Sequence, residues 1–380
     1  MVGMTTAILD PIVTDVARVL SVPRQAPADS FVLHAPLELM ARVGLLPLVH
    51  PDARPDAVAR IGTLGELYEA TGPGVTPSGP VRYERHEDAA VALADAVDRA
   101  DLDAVDAAAV WLTDHAAHGE IRHLLGEAVV DSLAAAGHAP IGMHLLPRVA
   151  GGTLPGGLLR GPLRELARQP GWRLRWFRSF PETIPATMDA DSATLAEALR
   201  RVPMLGRPGS DFIFPLMSQA EDSGVAARVL GPVLAASPST VTARRELARA
   251  AVWSMLHDDP SQAPYGWSHC LTMPQGVMSL AGDGVTPGTA IAVAATFVVG
   301  FRAAHGTIEL PALGDTDGGD ITGPPPTIEA LATFAALHED AHLVKYTLAC
   351  LHAAEADPAW RPTYLAAAAY LADWWQKSVA

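Results

Sequence analysis

Apolar residues recur at three- and four-residue spacing along almost the whole chain, and that period limits the fold more than anything else. Residues 87–99 and 103–136 are Ala-rich with Leu and Val along one face. Further stretches of the same kind run over 191–202, 216–235, 240–257, 288–304, 327–356 and 361–377. Residues 35–46 read as a helix with Pro36 in its first turn, where the missing N–H has no partner to lose. Period-two alternation is confined to Leu174–Phe180, enough for one short hairpin. Gly72–Pro80, Ala150–Pro162 and Pro311–Pro326 carry the Gly and Pro clusters of loops, and none has the composition of a flexible interdomain linker. No repeat of fixed period points to a solenoid. The expectation is an all-α fold over residues 1–380, one large helical domain or two helical lobes sharing a core.

Charge and composition narrow the class. Lys plus Arg number 27 against 42 Asp plus Glu, a formal charge of −15, so no nucleic-acid partner is expected. A hydrophobic share of 49% with 18% charged residues suits a packed core and not a disordered chain. The longest apolar run, 290–301, is shorter than the roughly 20 residues a bilayer crossing needs. The first ten residues lack the basic start and apolar stretch of a signal peptide. No membrane partner and a cytoplasmic location follow as expectations. Cys270 and Cys350 read as reduced thiols. No G-x-G-x-x-G follows a strand, so a bound flavin or dinucleotide domain is not indicated.

The fourteen histidines carry the functional signal. On the expected 327–356 helix, His338, His342 and Lys345 fall within a stripe about 60° wide, flanked by Ala335 and Ala349. Two imidazoles one turn apart can share a metal ion, and the Lys345 stem leans back toward the same point. On that helix Glu339 and Asp340 point away from Lys345, which leaves the amine without a local ion-pair partner. His338-Glu339-x-x-His342 also matches the zinc peptidase motif, with Glu339 as general base. The extended form of that motif fails, because Lys345 and Leu348 occupy its Gly and His positions. The only downstream Glu, Glu355, lies too far along the same helix to return to the metal.

A second cluster places His115 and His118 one turn apart with Arg122, while His123 points away; His118 is the better ligand candidate and His115 the reserve. His269 and Thr272 stand three residues apart in GWSHCLTMP, and His34 lies in FVLHAPLEL. His50, His86, His138, His257 and His305 sit near loop signals and are expected at the surface. Trp172, Trp176, Phe177, Trp267 and Phe301 are either plain core or a stacking surface for a flat substrate.

Four segments together, FVLHAPLELMARVG, HAAHGEIRHLLGEAV, SHCLTMP and above all HEDAHLVKYTLACLHAAEADPAWRPTYLAAAAYLADWW, resemble the questin oxidase-like proteins of fungi and bacteria. The resemblance implies a helical oxygenase that opens a ring of an aromatic polyketide, such as an anthraquinone, with O2. It implies one non-haem Fe(II) held by several histidines and a carboxylated lysine. By position that lysine carbamate is Lys345, with ligands among His118, His269, His338 and His342, and with His34 and Thr272 supporting the carbamate or the site. His115, His118 and His123 compete for the ligand from their segment. Any reductant, NADPH being the candidate, would arrive by diffusion. Two other readings stand beside it: a metal-dependent hydrolase built on His338-Glu339-x-x-His342, and a non-catalytic helical binding protein with His-rich packing.

Overall fold

The computed structural model describes residues 9–25, 29–76, 81–178, 194–209, 213–313 and 326–379. It is 75% helical, with no strand among the described residues and only isolated bridges such as Ser132 with Arg173. The fold is all-α. Parts of the expected 72–80 and 311–326 loops, residues 191–193 of an expected helix and 179–180 of the expected hairpin lie outside the described residues. Residues 174–178 form no strand; Leu174 is buried and the next turn is a short 3-10 segment.

Two compact units divide the chain. The first comprises Met1–Arg173 and Ala332–Lys345. It contains α1 (Pro11–Leu20), α2 (Ser30–Leu45), α3 (Arg54–Ala70), α4 (His86–Asp98), α5 (Leu102–His115), α6 (His118–Val129), α7 (His138–Leu145) and α8 (Arg160–Arg168). The second comprises Leu174–Leu331 and Tyr346–Ala380, with α9 (Leu195–Arg200), α10 (Ile213–Asp222), α11 (Val225–Ala235), α12 (Thr240–His257), α13 (Ser268–Met278), α14 (Pro287–His305) and α17 (Arg361–Val379). The chain leaves the second unit within α15 (Ile328–Leu337) and re-enters it within α16 (Ala341–Ala356).

Side-chain caps start many of these helices. Asp10, Asp29 and Asp101 each accept a hydrogen bond from the backbone N–H two or three residues on. The Asp29 cap corrects one expectation: α2 begins at Ser30, so Pro36 lies in its interior, where it removes one backbone bond. In the first unit α2 packs on α3 and α7, and α5 on α4 and α8. In the second, α12, α13 and α14 form the centre, and α10 and α11 lie against α14. By length and hydropathy Ser30–Leu48 and Pro287–His305 could each cross a bilayer; 83% of the apolar window of the latter is buried. Both cysteines are free and buried, and burial pushes their thiols up.

Candidate metal centre

Three buried imidazoles of the first unit meet: His34 from α2, His138 from α7 and His342 from α16. The His34 ring centroid lies 4.5 Å from that of His138 and 4.4 Å from that of His342, both edge-on. His34 and His138 each offer a ring nitrogen within 4.8 Å of the other. The His34 Nδ1 faces the carbonyl of Ser30. A carbonyl only accepts, so Nδ1 carries the hydrogen and Nε2 is the lone-pair nitrogen. That arrangement is how metal-binding histidines are usually oriented.

His138 enters by an unusual turn. Ala135, Ala136 and Gly137 all take left-handed backbone, with φ of 46°, 53° and 69°, and deliver His138 as the first residue of α7. Alanine adopts that conformation only where its surroundings hold it. The expectation that His138 lies at the surface is overturned: it is 1% exposed, and His305 is likewise buried. His50 and His257 are at the surface as expected.

The expected 327–356 helix does not run through. It stops at Leu337 and restarts at Ala341, because Asp340 caps the new helix: its Oδ1 accepts from His342 N and Leu343 N, both at 2.9 Å. His338 therefore lies in the link, off the His342 face. Its Nδ1 accepts from Asp340 N at 3.0 Å, so its hydrogen sits on Nε2 and neither nitrogen is set up as a ligand. Glu339 is exposed and lies 3.6 Å from Arg60. The zinc peptidase motif, which needs both histidines on one helical face, is broken by the same interruption.

A polar stripe on α2 holds that link. His34, Glu38 and Arg42 recur every four residues, and all are buried. Arg42 donates to Glu38 and also to the carbonyls of Ala336 and His338, the loose carbonyl end of α15. Burial pushes the Glu38 carboxyl up and the Arg42 guanidinium down, and each group opposes the shift of the other.

Lys345 lies one turn beyond His342 on α16 and is 4% exposed. Among the described residues its Nζ has no hydrogen-bond partner. Burial pulls its pKa from 10.5 to about 7, against the opposing pull of Asp340 and Glu38. The expectation that Asp340 points away is corrected here. With the helix restarting after it, Asp340 faces the amine closely enough to act on its charge, and Glu38 does so from α2. Burial raises the Asp340 carboxyl, while its two backbone bonds and Lys345 draw it back.

The remaining sequence candidates fall as follows. His115 and His118 are not on one helix, because Ala116 and Ala117 take extended backbone between α5 and α6. His115 is exposed and stacks on Trp111 with centroids 4.6 Å apart. His118 is half-buried at the head of α6 beside the Gly152 turn, and burial lowers its pKa. His123 is exposed. His269 and Thr272 belong to the second unit, buried on α13. His269 Nδ1 faces the carbonyl of Tyr265, in a π-helical turn, so its Nε2 is also the lone-pair nitrogen; the Thr272 hydroxyl donates to Ser268 O. Trp267 and Phe301 are core residues of that unit, packed 6.3 Å apart between centroids.

Sequence reasoning missed His138, Glu38, Arg42 and Asp340. The first is hidden by a turn of alanines. The other three carried readable signals, a four-residue polar period inside an apolar helix and an Asp directly before an apolar helical run.

Buried imidazoles, with an amine nearby whose charge burial disfavours, are a donor set that suits a divalent transition metal with nitrogen preference. No protein family, curated protein or solved structure matches the chain.

Proposed function

We propose that the chain is an O2-dependent oxygenase that uses a non-haem metal, Fe(II) by the resemblance of its sequence, on an aromatic polyketide-like substrate. The convergence of His34, His138 and His342, with the buried Lys345 one turn beyond His342 and its Nζ without a hydrogen bond among the described residues, is the observation that carries this reading. His34, His138 and His342 are the protein donors from the first unit. This moves His34 from a supporting part to a ligand and leaves His338 as a turn residue.

Lys345 supplies an anionic donor after reaction with CO2. The neutral amine forms a C–N bond to the carbon, one proton leaves, and a carbamate remains. Its surroundings favour the neutral amine, which is the reactive form. When bound, iron would supply open coordination positions at which O2 and an electron-rich ring react. The chain's own contribution is a dry, fixed set of donors: the Ser30 carbonyl orients His34, and the Arg42 clasp fixes the link that precedes His342. A reductant such as NADPH would diffuse in.

Metal analysis of purified protein tests the reading. Iron near one equivalent per chain is expected, with loss of that iron in folded His342→Ala or His342→Gln protein. Unchanged iron content in either folded variant overturns the assignment, and zinc in place of iron favours hydrolytic chemistry.

A further inference from the structure

Asp340 occupies a position that does two things at once. Its Oδ1 takes the backbone N–H groups of His342 and Leu343, and these two bonds fix the plane of the carboxylate. Its Oδ2 is thereby held 3.6 Å from Nδ1 of His342, just outside hydrogen-bond length. An ionised carboxylate can only accept, so the ring nitrogen facing it is favoured as the N–H one. The same residue that starts the helix thus selects the state of the imidazole two residues later.

We propose that Asp340 is a positioning residue of the imidazole centre: it holds His342 as the Nδ1–H tautomer and leaves Nε2 as the lone-pair nitrogen. His34 reaches the same tautomer through the Ser30 carbonyl, so two rings in contact are oriented by acceptors on their own helices. With a cation held at Nε2, the Nδ1–H of His342 would be a stronger donor toward Oδ2 of Asp340. The other groups acting on the carboxylate are Lys345 on the same helix, His338 in the link and Arg42 from α2. The consequence for metal affinity rests on the function proposed above; the tautomer does not.

Replacement by asparagine separates capping from orientation. Asparagine is as good a cap as aspartate, and capping requires its oxygen to face the two backbone N–H groups. Its NH2 then faces His342 Nδ1 and donates to it, so the tautomer inverts. The experiment uses full-length, metal-free protein, with the imidazole nitrogens observed by 15N NMR and the His342 signals assigned by their loss in His342→Gln. Wild type should show His342 with hydrogen on Nδ1. Asp340→Asn should melt as wild type does and show hydrogen on Nε2, with cobalt(II) affinity about 10- to 100-fold weaker. An Nδ1–H tautomer that persists in folded Asp340→Asn protein overturns the proposal, as does an Nε2–H tautomer in wild type. The expected tautomers with no cobalt binding by wild type would uphold the positioning role and sink the metal reading instead.

Discussion

Replacing Lys345 by Met should stabilise the metal-free protein, and the gain should vanish with rising pH. The fall of the Lys345 pKa from 10.5 to about 7 comes first from burial. At about 1.4 kcal/mol per unit it corresponds to about 5 kcal/mol of destabilisation carried by the charged amine. The folded-state pKa lies below the unfolded one, so between pH 7 and 10.5 the unfolded chain holds a proton that the folded chain has released. Stability therefore rises with pH through that window and is lowest below pH 7. Met has a similar stem and no charge, and it removes the titration without opening a cavity. The variant should be more stable than wild type by about 5 kcal/mol at pH 6 and by about 3 kcal/mol at pH 8, with little difference near pH 10.5. Urea unfolding followed by circular dichroism, after chelation of metal, measures this directly. A wild-type-to-variant difference that stays constant from pH 6 to pH 9 would refute the reasoning, because the amine would then be ionised and paired throughout.

Two further perturbations test the frame around the site. Arg42→Met strips Glu38 of its partner inside the protein and leaves the carbonyls of Ala336 and His338 without their donor; a loss of about 3–5 kcal/mol is expected, and urea unfolding showing under 1 kcal/mol would contradict it. Gly65→Ala on α3 would place a methyl 2.8 Å from Cγ2 of Val16, a β-branched side chain with little freedom to move, so a thermal melt should report a loss of about 1–3 kcal/mol.

The helical period of the sequence carried the fold class, because each amphipathic stretch names both its element and its buried face. Periodicity says less about where a helix stops. The Ala-rich stretch 103–136 broke after His115 at two alanines, and nothing in their chemistry marks the break. The 327–356 stretch broke at a residue that does carry a mark, Asp340, whose preference for the cap position competes with the continuing apolar period. That one competition moved His338 out of the site and brought Asp340 into it. His342 and Lys345 stayed legible because both lie after the break, on one helix and one face. His138 was illegible for a different reason: its inward direction depends on left-handed alanines, which tertiary packing imposes.

The first unit is not finished when its first segment leaves the ribosome. Residues up to Arg173 supply His34, His138 and the Glu38–Arg42 pair, but Ala332–Lys345 must be added before His342 and Lys345 exist to meet them. Lys345 follows Arg173 by 172 residues, which at about 5–20 residues per second is a delay of roughly 10–35 s. Throughout that interval the Arg42 guanidinium has no carbonyls from residues 336 and 338 to receive it, and the His34 ring lacks its contact with His342. If the proposed centre takes up a metal, it does so only after this late segment has been made. A chain truncated before Ala332 would carry two of the three imidazoles and be unable to assemble the third.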